Sequence, residues 1–363
     1  MLLCCLLNRP SIVRQLSAGM RPFTLPANPK LRLFLALFTA SALVLLIAAS
    51  ASVRVLYTSI PALSGNSIVE VAPGSSLSRV ALNLQAQGLL DYPQLFVALA
   101  RWRGVTNAIQ TGEYRLDSGL TPARLLDKMV SGDNIQYRIT LVEGWTFAQA
   151  MSEINRSAKL VLELPGLSRN EIAKRMELDY DDPEGMLFPD TYFYTKGATD
   201  LDLLRRANQR LQEVLESAWQ YRLGALPYDN NYHALTMASI IEKESSSLSE
   251  RGHIAGVFVR RLEQGMRLQS DPTVIYGMGE DFSGDLRGAD LALATAYNTY
   301  RINGLPPTPI ALAGIDSITA SLNPLPSDYL YFVAMGDGSH YFSSTLEEHN
   351  AAVDRFQRQP QTQ

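Results

Sequence analysis

The feature that most constrains the fold is an uncharged apolar run near the N-terminus. From Leu33 to Val53 the chain reads LFLALFTASALVLLIAASASV, without a charged residue. A helix of about 20 apolar residues spans the hydrocarbon core of a bilayer. A cleaved signal peptide is the alternative, because Ala49 and Ala51 resemble a cleavage site. The run exceeds the roughly 7–15 apolar residues of a signal peptide, which favours an uncleaved transmembrane helix at residues 33–53.

Charge is distributed unevenly on the two sides of this run. The first 60 residues carry six of the 32 basic residues and none of the 36 acidic residues, so the rest of the chain has a net charge of −10. Basic residues before the apolar run predict a cytoplasmic N-terminus and a body outside the cytoplasmic membrane. The acidic body argues against a protein that binds duplex nucleic acid, which needs a basic surface. Met20 is an alternative translation start to Met1.

The sequence lacks the usual signature motifs of several enzyme classes. Cys4 and Cys5 are the two cysteines of the chain, which excludes a disulfide framework and a thiolate metal site. We find no G-x-S-x-G, no H-E-x-x-H and no glycine-rich phosphate loop. Glu250 and His253 have a spacing that fits a metal pair, but such a pair is more often a solvated helix face. We therefore expect neither a metal nor a cofactor.

The body predicts an α+β fold, because period-2 and helical patterns are both present. The strands are expected at residues 67–71, 113–116, 135–142, 329–334 and 340–343. The helices are expected between Ser76 and Gly88, at 93–103, 122–130, from Thr146, at 200–222, 233–244 and 254–262, with a short helix and loops within 165–186. The glycine- and proline-rich chain after the last of these helices is expected to be loops.

One predicted apolar helix ends in the sequence Glu242-Lys243-Glu244. At 100° per residue, Lys243 points away from the apolar stripe and the two glutamates lie on its opposite flanks. A carboxyl among apolar neighbours, such as Ile240 and Ile241 next to Glu244, has a raised pKa and can act as a general acid. The alternative to a catalytic site is that Glu242, Lys243 and Glu244 form a surface salt-bridge patch at the end of a helix. Helix geometry alone does not decide between the two glutamates.

The sequence resembles the endolytic murein transglycosylase family (MltG, YceG-like). The resemblance extends over nearly the whole chain after about residue 30 and departs from the family in the extension before Met20. It is carried by LTMASIIEKESSSLSERGHIAGVFVRRLEQGMRLQSDPTVIYG at 235–277, EGMLFPDTY at 184–192, YNTYRINGLPPTPI at 297–310 and LYFVAMGDGSHYFSSTLEEHN at 330–350.

The resemblance implies an enzyme that cuts peptidoglycan glycan strands internally, with Glu244 as the catalytic acid/base. Such an enzyme needs one carboxyl, because the C6 hydroxyl of N-acetylmuramic acid is the nucleophile and the product has a 1,6-anhydro end. Glu242 remains an alternative acid, and Asp271 or Asp190 could supply the second carboxylate of a hydrolase. The residues expected in loops that line the cleft and bind substrate are Gln269, Asp271, Thr273, Tyr297, Asn298 and Tyr300. A non-catalytic peptidoglycan-binding scaffold for cell-wall synthases is the alternative function.

The resemblance also implies a domain order. The small α+β unit resembles a glycan-binding LysM module, although a packing subdomain without a ligand is the alternative. Peptidoglycan strands and the penicillin-binding synthases are the implied partners, at the bacterial inner membrane with a periplasmic catalytic domain. The expected boundaries are 1–32 cytoplasmic, 33–53 transmembrane, 54–66 linker, 67–134 LysM-like, 135–356 YceG-like catalytic and 357–363 disordered tail.

Overall fold

The computed structural model describes residues 28–60, 67–245 and 247–358. The expected cytoplasmic segment up to residue 27, part of the expected linker at 61–66 and the last five residues of the expected tail lie outside the described residues. The chain divides into two compact units. The described part of the first covers residues 28–60, 67, 76–109 and 116–130, and that of the second covers 68–75, 110–115 and the residues from 131 onward.

The apolar run lies within one long helix, α1 (Pro29–Tyr57). Pro29 is the first helical residue, where its missing N–H costs nothing, and the Asn28 side chain accepts a hydrogen bond from the Lys30 N–H. In the described part of the chain, α1 is the one helix long and apolar enough to cross a membrane. Its apolar side chains are exposed, as expected of a helix whose surroundings are lipid.

The rest of the first unit consists of three short helices. Ser76 caps the first of them through a bond from the Arg79 N–H, and Pro93 and Pro122 open the other two. Residues such as Leu84 and Phe96 are buried in this unit. The helices are α2 (Leu77–Ala86), α3 (Pro93–Trp102) and α4 (Pro122–Ser131).

The second unit is mixed helix and strand, which confirms the α+β class. Its two-stranded sheets pair β1 with β2, β3 antiparallel with β4, and β5 antiparallel with β6. The strands are β1 (Ser67–Val71), β2 (Gly112–Leu116), β3 (Gln136–Thr140), β4 (Thr191–Thr195), β5 (Tyr331–Ala334) and β6 (His340–Ser343). The helices are α5 (Phe147–Asn155), α6 (Arg169–Met176), α7 (Asp200–Gln220), α8 (Asn231–Glu244), α9 (Leu248–Glu263), α10 (Asp271–Met278), α11 (Gly288–Leu291), α12 (Ile315–Leu322) and α13 (Leu346–Val353).

Helix α8 is the central element of the second unit. Every residue from Ala234 to Ile241 is almost completely buried, including two hydroxyl side chains. Those hydroxyls are satisfied locally, because Thr236 donates to the Tyr232 carbonyl and Ser239 donates to the Thr236 carbonyl. Burial on all sides fixes the middle of the helix in the core, and its first and last turns reach the surface.

Between α9 and β5 the chain forms helices α10, α11 and α12 where the sequence predicts loops, and that prediction is wrong. Helix α10 begins at Asp271 with Pro272 in its first turn, which is a helix-start signal that the glycine-rich context obscured. Helix α12 is short and gains its stability by packing against α8 and α9. A π-helical turn at Asp354–Arg358 also occupies the first two residues of the expected disordered tail.

Candidate active site

The end of α8 places Glu242 and Glu244 where the helical geometry predicts them. Both residues are partly buried, and Lys243 between them is exposed. The last turn of α8 ends at Ser245, whose N–H still bonds to the Ile241 carbonyl. The two carboxyls consequently leave the helix in different directions and meet different partners.

Glu242 is engaged in a buried ion pair. Its oxygens accept from the Arg251 guanidinium at 2.8 and 3.2 Å, and both side chains are about 95% buried, with exposures of 4% and 5%. The Gly314 N–H donates a third hydrogen bond at 3.0 Å. With three donors on its two oxygens, the Glu242 carboxyl is engaged in structural contacts at the end of α8.

Glu244 has the opposite environment. The surrounding protein removes water from its carboxyl, and this burial raises the pKa of Glu244 to about 7. The Ser270 hydroxyl donates to it and opposes the rise, the negative charge of Asp271 adds to it, and the positive charge of Arg261 weakly opposes it. A carboxyl with this pKa is half protonated near neutral pH and can both give and take a proton.

The turn before α10 presents the Ser270 hydroxyl to Glu244. Gln269 has φ +53°, a left-handed conformation that is uncommon outside glycine. The Gln269 and Ser270 N–H groups both bond to Thr299, through its carbonyl at 3.2 Å and its hydroxyl at 2.9 Å. Ser270 occupies the N-cap position of α10 but makes no side-chain cap, so its hydroxyl is free to bond to Glu244.

Arg261 supports this turn from α9. Its guanidinium donates to the Leu268 carbonyl at 2.8 Å, the Leu330 carbonyl at 2.7 Å and the Gln269 side-chain oxygen at 3.3 Å. Ser270 and Arg261 were missed by the sequence analysis. The Ser-Asp-Pro helix start indicates a capping serine at 270, but no sequence spacing indicates that it reaches Glu244.

Four of the six predicted substrate-binding residues have accessible surface, and we keep them as proposed ligands. Gln269 and Asp271 are exposed, and Tyr297 and Tyr300 are partly exposed. Tyr300 donates to the Asp271 carboxylate at 2.6 Å, which ties the 297–300 segment to the start of α10. Asp271, Tyr300 and Gln269 thus belong to one cluster beside Glu244, and Tyr297 bonds instead to the Thr308 hydroxyl at 2.9 Å.

The direct substrate contact expected of Thr273 and Asn298 is corrected by their burial. Both side chains are fully buried. Thr273 donates to the Ser270 carbonyl at 2.7 Å, and Asn298 donates to the carbonyls of Leu291 and Leu293 at 3.1 and 2.7 Å. Their polar atoms are used to shape the chain behind the site, so they position other residues.

A second buried carboxylate lies in the Glu184 motif, and the sequence analysis assigned it no role. Glu184 is completely buried and accepts from the Phe147 N–H at 2.7 Å, from Arg169 at 2.9 Å and from the Tyr276 hydroxyl at 2.9 Å. These partners belong to α5, α6 and α10. Glu184 therefore ties three helices together and helps to hold α10 in place. Asp190, the other acidic residue of this motif, bonds to the Thr191 N–H.

Comparison with known proteins agrees with the resemblance seen in the motifs. The model of the YceG-like family matches residues 69–355. The endolytic murein transglycosylase of Bacillus subtilis (strain 168) is 32% identical over 310 residues, which cover 79% of this chain and 84% of that protein. The endolytic murein transglycosylase of Streptococcus pneumoniae (strain D39) is 27% identical over 319 residues, covering 78% of this chain. The match spans 57% of the length of the pneumococcal protein.

Among solved structures, the chain is similar to a YceG-like protein from Listeria monocytogenes, determined by crystallography at 2.6 Å. The identity is 29%, the TM-score is 0.49, and the match covers 79% of this chain and 98% of the other. The family model covers well over half of the 363 residues, and the Bacillus relative is matched over most of its length. This chain therefore belongs to the YceG-like family.

Proposed function

We propose that this chain is an endolytic murein transglycosylase with Glu244 as its acid/base. The observation that carries the proposal is the carboxyl of Glu244, which is partly buried at the end of α8 and has its pKa raised to about 7 by burial. The names of the relatives supply the reaction class. Glu242, two residues away, forms an ion pair with Arg251, so we do not assign it the role of the acid/base.

In the proposed reaction, Glu244 protonates the glycosidic oxygen between N-acetylmuramic acid and N-acetylglucosamine. The bond from C1 to that oxygen breaks, and the O6 hydroxyl of the same muramic acid attacks C1. The Glu244 carboxylate takes the O6 proton, so the group returns to its starting state and water is not consumed. Because the nucleophile belongs to the substrate, proximity supplies part of the rate enhancement and no second carboxylate is required.

Asp271 is the carboxylate on which a hydrolytic reaction would depend. It is exposed, it follows Ser270 directly, and it accepts from Tyr300. The bond from Tyr300 fixes the orientation of the Asp271 carboxyl, as expected of a group that could orient a water molecule. The products separate the two reactions, because hydrolysis gives a reducing end and transglycosylation gives a 1,6-anhydro end.

The cellular setting is part of the proposal. Basic residues precede α1, so we place the N-terminus in the cytoplasm and the second unit in the periplasm of a bacterium. Anchoring keeps the enzyme near new glycan strands and near the penicillin-binding synthases that make them. The α+β subdomain expected at residues 67–134 is proposed to bind glycan in the manner of a LysM module.

The test of the proposed function is the replacement Glu244→Gln in the full chain, purified in detergent and incubated with polymeric glycan strands. Mass analysis of the products is expected to show 1,6-anhydro ends and fragments of intermediate length from the wild type. Glu244→Gln is expected to lose about 10²–10⁴-fold in rate, which is the usual contribution of general acid–base catalysis.

Glu216→Gln, at an exposed position of α7, is the matched control and should retain wild-type activity. Anhydro ends released by Glu244→Gln at the wild-type rate would refute the assignment. Strand binding by a wild type that releases no product would instead favour the non-catalytic scaffold.

A further inference from the structure

A polar cavity of about 480 Å³ adjoins the last turn of α8 on a side that the catalytic proposal does not use. Lys243 and Ser245 line it, and Glu244 between them directs its carboxyl to Ser270 instead. The volume lies within the roughly 300–1,000 Å³ of typical small-ligand sites. The other side chains that matter in it are Glu143, Trp145, Gln149, Glu242 and Arg251.

Trp145 is the aromatic residue of this cavity, and backbone hydrogen bonds hold the segment that carries it. The Trp145 carbonyl accepts from the Leu312 N–H at 2.7 Å, and the Gly144 N–H donates to the Leu312 carbonyl at 2.9 Å. Trp145 is followed by Thr146, which starts α5 with a complete capping box. The ring is partly exposed, so one of its surfaces is available to a ligand.

Charged side chains line the cavity together with Trp145. The buried Arg251–Glu242 pair borders the cavity, and Lys243 reaches across it to the Gly144 carbonyl at 3.2 Å. The carboxyl of Glu143 lies over the α-carbon of Gly314, where a Cβ would come within 2.0 Å of its Oε1. Burial raises the pKa of Glu143, and the negative charge of Glu242 adds to this rise.

We propose that this cavity binds one saccharide unit of a glycan strand, with Trp145 against a face of the sugar ring. An aromatic ring offers a flat apolar surface, and planar amide, carboxylate and guanidinium groups at its edge match the hydroxyl and N-acetyl groups of an amino sugar. Neither an apolar ligand nor a simple ion suits this lining, because acidic and basic groups border one aromatic face. This inference rests on the proposed function only for the identity of the strand.

A saccharide site beside Glu244 would explain how an enzyme cuts a strand internally. Internal cleavage requires that the strand be held on units that are not themselves cleaved. Binding energy from such remote units can be used to orient the scissile bond. Because Lys243 and Ser245 are the sequence neighbours of Glu244, a unit held here lies next to the catalytic turn.

The test measures binding separately from cleavage. The full chain carrying Glu244→Gln, in detergent, is titrated with peptide-free glycan strands by calorimetry. Adding Trp145→Ala to this chain is expected to raise Kd about tenfold, which corresponds to about 1.4 kcal/mol. Trp145→Phe keeps an aromatic face and should restore most of the affinity. Glu143→Gln, at an exposed residue, gives an independent reading of the same cavity and should weaken binding several-fold.

Tyr221→Ala removes an aromatic side chain that is 77% exposed and lies outside the cavity, so it should leave Kd unchanged. An unchanged Kd for both Trp145→Ala and Glu143→Gln, in chains that unfold at the temperature of the parent, would overturn the proposal. Binding only of strands that carry peptide stems would also overturn it, because it would assign the cavity to peptide. Loss of strand binding in Trp145→Ala, together with a wild type that binds strands but releases no product, would leave the saccharide site standing and refute the enzyme alone.

Discussion

Glu242 and Glu244 show how two identical side chains on one helical turn acquire different chemistry. Arg251 and the Gly314 N–H surround the first with positive and donor groups, whereas the second has one hydroxyl donor, Ser270, in a dehydrated setting. Charged partners favour the ionised form of a carboxyl, and dehydration favours the neutral form. The groups that surround each carboxyl therefore decide which chemistry it can perform.

The Ser270 hydrogen bond can be tested through the pH dependence of the reaction. This bond lowers the pKa of Glu244, so Ser270→Ala should raise that pKa above about 7. The protonated acid then persists to higher pH, and the alkaline fall of kcat/KM should move upward by about one pH unit, equivalent to about 1.4 kcal/mol. The measurement is a pH profile of kcat/KM for both chains.

Ser249→Ala is the matched serine control for this shift, because Ser249 is an exposed residue of α9 and should leave the profile unchanged. A lower overall rate without a shifted alkaline limb would indicate that Ser270 serves only to position the chain. A shift toward lower pH would contradict the proposed bond.

At the scale of elements, the site is made by packing α10 and its preceding turn against the end of α8. The turn is held by Arg261 of α9 and by Thr299, and α10 itself is held through the bond from Tyr276 to Glu184. The contacts made by Thr299 and by Tyr276 join residues that are 29 and 92 positions apart in the sequence. The geometry at Glu244 therefore depends on loops that must be rigid.

Gly185 tests the rigidity of the loop that carries Glu184. It has φ +71°, and a Cβ there would lie 2.3 Å from the Cβ of Pro309. Gly224 has φ +72° with no atom within 4 Å of its Cβ position, so it carries the same backbone strain without the clash. We expect Gly185→Ala to lower the free energy of unfolding by about 1–3 kcal/mol more than Gly224→Ala, the usual cost of overpacking.

Denaturant unfolding of the two detergent-purified variants measures this difference. Gly224→Ala supplies the reference for strain alone. Equal losses of stability in both variants would contradict this expectation, because they would show that the loop at residue 185 moves to accommodate the added methyl group.

At the scale of the whole molecule, α1 is long and apolar enough to anchor the chain, and basic residues precede it. An anchor of this kind ties the second unit to the membrane surface. The proposed orientation, with the N-terminus in the cytoplasm, rests on the position of these charges, since basic segments resist translocation.

The two cysteines give a direct test of this orientation. Cys4 and Cys5 precede α1, so in spheroplasts of a bacterial host they should resist a membrane-impermeant maleimide and react only after lysis. Trp102→Cys, in a chain with Cys4→Ser and Cys5→Ser, introduces a thiol at a position that is 82% exposed and should react without lysis. Labelling is measured by the mass shift of the purified chain.

The reverse labelling pattern would contradict the proposed topology. A purified native chain whose N-terminus lies after the apolar run at residues 33–53 would instead identify that run as a cleaved signal peptide.

The sequence by itself determined the features that depend on neighbouring residues. Period and capping signals located α1, α7 and α8, because helical hydrogen bonds and caps are local. The same helical period placed Glu242 and Glu244 on separate flanks, and the long motifs identified the family. The sequence did not predict the short helices α10 and α12, since helices of this length depend on tertiary packing.

Only the tertiary structure decided that the pKa of Glu244 is raised and which predicted ligands face the surface. Ser270 meets Glu244 across 26 residues of sequence, and Arg251 meets Glu242 from the next helix. Thr273 has the residue type of a ligand, yet its side chain is buried. The physical reason is that pKa and accessibility depend on burial and on charges brought together by folding, and neither quantity is a property of local sequence.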